Sequence, residues 1–205
     1  MDEPAAMTTD GRTARRDRNR ELVLDAALDL FAEGHLFPSA PDVAERSGVS
    51  LRSVFRYYED TEALLRAAMA RHLERVGPLF VVEGLGEGAF EDRVKRYVTA
   101  RLRLYAAVAP TARAGLVRAA TNPIIAERFE GVRVRSREQL AAMFAPELRA
   151  LPAGRRRAAL AAADALFTFH GLDHLALHSG LGSRQLEDAL RQALHALLGP
   201  RPAAG

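Results

Sequence analysis

The chain has 205 residues and a formal net charge of +3, with 29 Lys and Arg against 26 Asp and Glu, no cysteine and only 6% aromatic residues. That length can bury a full core, while the missing cysteines exclude a disulfide framework and a thiolate metal site. No apolar run approaches the roughly 20 residues that span a bilayer, and charges stand where a secretory signal needs an apolar core, so a cytoplasmic protein without a membrane segment is expected.

Ala, Leu, Arg and Glu dominate, and apolar positions recur at three- and four-residue intervals, so the fold is expected to be all-α with about nine helices. Residues 1–11 show no periodicity and read as a disordered arm. Arg12, Arg15, Arg16, Arg18 and Arg20 follow with only Asp17 against them, a charge run suited to phosphates, with Arg16 a candidate contact. From Asn19, the pairs Leu22-Val23, Ala26-Ala27 and Leu30-Phe31 form the apolar stripe of a first helix that Gly34 can end. Two short helices follow, after Ser39 and after Ser50. A fourth begins at Asp60, an N-cap, and runs to Gly77 and Pro78. Gly84, Gly86 and Gly88 superficially suggest a phosphate loop, but no strand precedes them and no Lys-Ser or Lys-Thr pair follows, so they read as a connection. Helices are then expected over 89–108, 111–121, 124–144, 152–179 and 183–198, with Pro110 and Pro123 opening two of them. Residues 201–205 read as a disordered tail. The expected division places one domain at 12–60 and a second, helical one at 61–200.

The segment from Ser39 to Tyr58 carries the most information. Ser39 can cap a helix that tolerates Pro41 in its first turn, and Val43 faces inward. Gly48 supplies the left-handed backbone of a tight turn, and Ser50 caps the next helix. Val54 and Tyr58 lie four apart on the inward face, which leaves Leu51, Arg52, Ser53, Phe55, Arg56 and Tyr57 outward. Two helices crossed in this way present the second to a major groove.

From about Arg15 to Leu65 the sequence resembles the tetracycline-repressor family of bacterial regulators, on Ala26-Ala27, Leu30-Phe31, Val43-Ala44, Gly48-Val49-Ser50 and the cluster Phe55, Tyr57 and Tyr58. The resemblance implies a three-helix DNA-binding domain with a helix-turn-helix, joined to a helical ligand-binding and dimerisation domain. It implies base-edge contacts from Arg52, Ser53 and Arg56 and backbone contacts from Ser39, Ser50, Phe55 and Tyr57. Two positions depart from the family pattern. Phe55 replaces the usual Tyr and loses its phenolic hydrogen bond. Thr61 replaces a common Lys at the start of the connector helix, leaving that helix's free amides to favour phosphate. Weaker nonspecific affinity follows, partly offset by the arginine-rich arm.

Beyond the connector the resemblance implies a fold and little about the ligand. An effector cavity is expected among the middle helices, with Tyr97, Arg101, Tyr105, Asn122, Phe129, Phe144, Phe167 and His170 as candidate lining; Arg101 would suit an anionic compound. The stripe Leu186, Leu190, Leu194 and Leu197, with His174 and His178, is expected at a homodimer interface. His170, His174 and His178 share one helical face, but no further ligands are evident, so neither a metal nor a cofactor is expected. The expected function is a repressor released from a pseudo-palindromic operator, a double-stranded DNA, by a small-molecule effector. A regulator without an effector, an activator, and remotely an all-helical enzyme are the alternatives, the last lacking any nucleophile, metal or nucleotide motif.

Overall fold

In the computed structural model, residues 6–199 are described; the readings made for 1–5 and 201–205 lie outside them. Among the described residues there are ten α-helices, one 3-10 turn and no strand. They are α1 Ala6–Ala32, α2 Ala40–Ser47, α3 Leu51–Tyr57, α4 Thr61–Val76, α5 Phe90–Ala119, α6 Pro123–Met143, α7 Ala145–Ala150, α8 Ala153–Phe167, α9 Phe169–His178 and α10 Ser183–Leu198. The 3-10 turn Gly77–Phe80 follows α4. The chain divides into two compact units, Met1–Arg75 and Val76–Gly205. The expected division at residue 60 therefore falls too early: α4 shares the first unit with α1, α2 and α3.

In the first unit Val23, Ala26, Ala27, Leu30 and Phe31 of α1 are buried with Val43 of α2, Val54 of α3 and Leu64, Leu65 and Ala68 of α4. Ion pairs fasten the rim. Arg46 of α2 clasps Glu33, just past α1, with bonds of 2.7 and 2.5 Å. Arg71 of α4 reaches Glu21 at 3.4 Å and Asp25 at 3.3 Å. The helix α1 starts at Ala6, so the residues read as the end of a disordered arm, and all five arginines after them, lie on a helix.

In the second unit α5 runs through the middle of the core. Val94, Tyr97 and Val98 pack with Leu140 and Met143 of α6, with Phe144 just before α7, with Ala163 and Phe167 of α8, and with Leu186, Leu190 and Leu194 of α10. Three expected boundaries moved. Pro110 does not end a helix but lies inside α5. It cannot donate to the carbonyl four residues back, yet Ala109, Thr111 and Ala112 around it are buried, so packing holds the helix through the defect. A short α7, with Leu148 buried, occupies what was read as the connection after Phe144. The single helix expected over 152–179 breaks at Thr168, whose extended backbone caps α9 while its Oγ1 accepts from Gly171 N at 3.0 Å. Gly171 is obligatory for steric reasons: a Cβ there would stand 2.2 Å from the Ala165 carbonyl oxygen and 2.9 Å from that of Leu166.

Candidate nucleic-acid interface

The α2–turn–α3 unit is built by local hydrogen bonding. Ser39 and Asp42 form a reciprocal capping box: Ser39 Oγ accepts from Asp42 N at 3.3 Å, and Ser39 N donates to Asp42 Oδ2 at 2.8 Å. Gly48 ends α2 at φ 67°, in the left-handed region where a side chain would be strained. Ser50 then caps α3 by accepting from Ser53 N at 3.3 Å. Val54 and Tyr58 anchor α3 inward, at 1% and 6% exposure. With that face spent on the core, Leu51, Arg52, Phe55 and Arg56 are exposed, and Ser53 and Tyr57 half-buried. Arg20 of α1 lies over the buried Tyr58 ring at 5.6 Å.

The two arginines of α3 stand in different states. Arg52 makes no hydrogen bond or ion pair among the described residues. Arg56 is held: it donates to Ser53 Oγ and to Tyr57 OH, each at 3.3 Å, and lies 5.2 Å over the Tyr57 ring. On α1, Arg16 is exposed.

Two expected backbone contacts carry other duties. The Ser39 hydroxyl donates to Asp42 Oδ2 at 2.6 Å, so its one proton already has an acceptor. The capping bonds hold the Asp42 carboxyl below the usual range, the Ser39 hydroxyl contributing most. The amides at the start of α4, expected to be free for phosphate beside Thr61, are not all free: Asp60 Oδ1 accepts from Ala63 N at 2.6 Å. Asp60 with Glu59 and Glu62, both exposed, makes that helix start acidic.

The eight residues expected to line an effector cavity do not come together around one. Tyr97, Phe144 and Phe167 fill the core edge to face, with Tyr97 centroids 5.6 Å from Phe144 and 5.1 Å from Phe167. Asn122 caps α6, accepting from Ile125 N at 3.3 Å. Phe129 lies against Gly115, and His170 is exposed. Tyr105 donates to Asp173 Oδ1 at 2.8 Å, beside Arg113 at 2.7 Å from the same oxygen. Burial pushes the Asp173 carboxyl up, but the bonds from Arg113 and Tyr105 outweigh it and hold it below the ordinary value. Arg101 is buried against Tyr97, 5.0 Å from the ring centroid. A cleft of about 570 Å³ lies on another face of α5, along Leu79, Val81, Arg96, Thr99 and Arg103, which periodicity gave no reason to single out.

The expected dimer stripe is also corrected. Leu186, Leu190 and Leu194 are 6%, 1% and 0% exposed within the subunit, and Leu197 packs on the same core. An amphipathic stripe must be covered, but here α5 and α8 cover it. His174 and His178 are exposed, their rings 5.3 Å apart. No group of three or more metal-ligating side chains occurs among the described residues, and no helix there is long and apolar enough to cross a membrane.

Comparison with known proteins agrees with this geometry. Residues 23–68 match the model of the bacterial regulatory proteins of the tetR family. Over 58 residues the chain is 41% identical to the HTH-type transcriptional repressor LfrR of Mycolicibacterium smegmatis, a match spanning 28% of this chain and 30% of that repressor. A Streptomyces coelicolor A3(2) protein solved as a candidate transcriptional regulator superposes with a TM-score of 0.56 at 26% identity, covering 89% of this chain and 99% of that one. The fold is shared with a tetR-family regulator from Streptomyces coelicolor, with a TM-score of 0.61 at 20% identity over 88% of this chain and 79% of that one. It is shared also with the flavonoid-responsive regulator FrrA, with a TM-score of 0.55 at 22% identity over 89% of this chain and 96% of that one.

Proposed function

We propose a function from the premise that this chain belongs to the tetR family of bacterial regulatory proteins: it is a transcriptional repressor that holds operator DNA as a homodimer and lets go when a small molecule binds its second unit. The observation that carries the DNA reading is α3, a helix fixed on one side by Val54 and Tyr58 and offering Arg52 and Arg56 on the other. Arginine clasps guanine with two hydrogen bonds, and a recognition helix enters the groove by its N-terminal residues. In this reading Arg52, Ser53 and Arg56 read bases, and Ser50, Leu51, Phe55, Tyr57 and Thr61 lie along the backbone, with Arg16 on phosphate.

The dimer reading moves from the leucine stripe of α10 to exposed surface on α8 and α9. Ala158, Ala161, Ala162 and Ala165 of α8 and His174, Leu177 and His178 of α9 are all exposed, and small side chains allow close helix approach. Two-fold pairing gives two recognition helices one spacing on the duplex. Footprinting of the DNA flanking the protein's own gene, with and without candidate compounds, tests the whole reading. A protected pseudo-palindrome, released by compound, is expected; no protection anywhere in that DNA would refute it. The filled core around Tyr97 favours a second reading, a regulator without small-molecule input, in which the footprint persists with every compound.

A further inference from the structure

Helix α9 carries three histidines at four-residue intervals, His170, His174 and His178, all of them exposed. The helix beneath them is fixed in place. Thr168 caps its start, Leu172 is 3% exposed, and Leu175 and Ala176 pack against the core of the second unit. Residues four apart on a helix are neighbours on its surface, and the His174 and His178 rings stand 5.3 Å apart between centroids, tilted by 46°. His170 meets the Phe169 ring, at 6.0 Å. Neither His174 nor His178 makes a hydrogen bond or ion pair among the described residues, so their ring nitrogens are uncommitted there. A zinc ion about 2.0–2.1 Å from a ring nitrogen lies about 3.2 Å from that ring's centroid, and two such rings at the tetrahedral angle have centroids about 5.2 Å apart. The pair already stands at that separation, and side-chain rotation alone aims its nitrogens.

We propose that His174 and His178 form half of a zinc site that a second copy of this chain completes, with the ion on the two-fold axis between them. This rests on the dimer reading above, which sets exposed faces of α8 and α9 against their copies. Structural zinc takes four ligands, and no group of three or more ligating side chains occurs among the described residues of one subunit. The pair is too few alone, but a two-fold axis repeats each of its members. Leu177, which stands between the two histidines, is 56% exposed, an apolar side chain that a second copy would cover. The donors are imidazole nitrogens alone. They suit zinc and its transition-metal neighbours and disfavour magnesium and calcium, which take oxygen ligands. An ion held by both copies binds the dimer and not the separated chains, so it strengthens their association.

The test takes the full chain without an affinity tag, strips it with EDTA, and titrates it at about pH 7.5, where imidazole is mostly neutral, with zinc, cobalt(II) or magnesium. Wild type should take one zinc per two chains, give the intense visible absorption of four-coordinate cobalt, and ignore magnesium. His174→Ala and His178→Ala should each lose the site, and His170→Ala should keep it. All three side chains are exposed, so each variant should melt with wild type in EDTA. In sedimentation, zinc should lower the dimer dissociation constant of wild type about ten-fold or more and leave that of His178→Ala unchanged; for a dimer too tight to dilute apart, a zinc-dependent rise in melting midpoint reads the same linkage. One zinc per chain with no gain in association is a chelate on one copy and overturns the shared site. Equal responses to zinc and magnesium, or zinc binding that survives His174→Ala, do the same. The dimer reading is separable. A chain dimeric in EDTA that takes no zinc overturns the metal site alone, whereas a chain monomeric at every zinc concentration overturns both.

Discussion

Replacing Arg52 by Ala should cut operator affinity far more than affinity for unrelated DNA. Arg52 is exposed and without a hydrogen-bond or ion-pair partner among the described residues, so its truncation leaves the folded domain nearly unchanged. What is lost is one bidentate base contact, about 1–3 kcal/mol per half-site. A two-fold dimer loses it twice, about 2–6 kcal/mol, or about thirty-fold to about twenty-thousand-fold in affinity. Arg56→Ala should cost less, because Arg56 must first leave Ser53 Oγ and Tyr57 OH, each at 3.3 Å, and surrendering those bonds subtracts from what the base contact gains. Fluorescence anisotropy with operator and scrambled duplexes, from about 50 to about 200 mM salt, separates base reading from charge. A base reader leaves the scrambled duplex almost unaffected and the salt slope unchanged. If Arg52→Ala weakened both duplexes equally and reduced the salt slope by about two per dimer, Arg52 would be neutralising phosphate and the assignment of α3 would be wrong.

Three further outcomes follow from particular contacts. Asp60→Asn keeps a good N-cap for Ala63 N but removes one negative charge from the start of α4; nonspecific binding should strengthen several-fold at low salt with the melting midpoint nearly fixed, and unchanged binding would place that helix start away from the phosphates. Gly171→Ala drives a methyl into the Ala165 and Leu166 carbonyls; overpacking of about 1–3 kcal/mol should lower the midpoint by about 2–12 °C, and an unaltered midpoint would deny the break between α8 and α9. Asp173→Asn should destabilise in a pH-dependent way. The folded Asp173 carboxyl lies below its ordinary value, so its contribution is complete above the unfolded pKa of about 3.9 and is lost as pH falls through the lower folded value. The gap in urea midpoint between wild type and Asp173→Asn should therefore be constant near neutrality and close below about pH 4; a gap that widens in acid would contradict the Arg113 and Tyr105 bonds.

The parts of the fold that were legible in the sequence are those fixed by neighbours along the chain. Ser39, Gly48, Ser50 and Asp60 act within three residues of themselves, and their side-chain chemistry is enough to place them. The parts that were not legible depend on what arrives from elsewhere. Pro110 obeys its local rule in losing a hydrogen bond, but buried neighbours on either side keep α5 continuous. The stripe of α10 announces that it must be covered without saying by what. For the same reason the spacing of Tyr97, Phe144 and Phe167 could not distinguish a cavity lining from a filled core, whereas Thr168 with Gly171 did hold a readable helix start, since Thr168 caps a turn that ends on that glycine.

The legible capping residues also bear on function in a way their separate roles conceal. The acids that build the reading head, Asp42 on α2 and Asp60 before α4, bring negative charge to helix starts, the places where a helix would otherwise attract phosphate. Glu59 and Glu62 add to it, while the exposed cations of α3 are Arg52 and Arg56. Attraction to any duplex is thereby reduced, but hydrogen bonds to a matching base edge are short-ranged and keep their strength. Such a head should discriminate operator from bulk DNA mainly by being a poor binder of the latter. Removing Asp60's charge should accordingly raise affinity and lower the specificity ratio together, a coupled change that a purely structural cap would not produce.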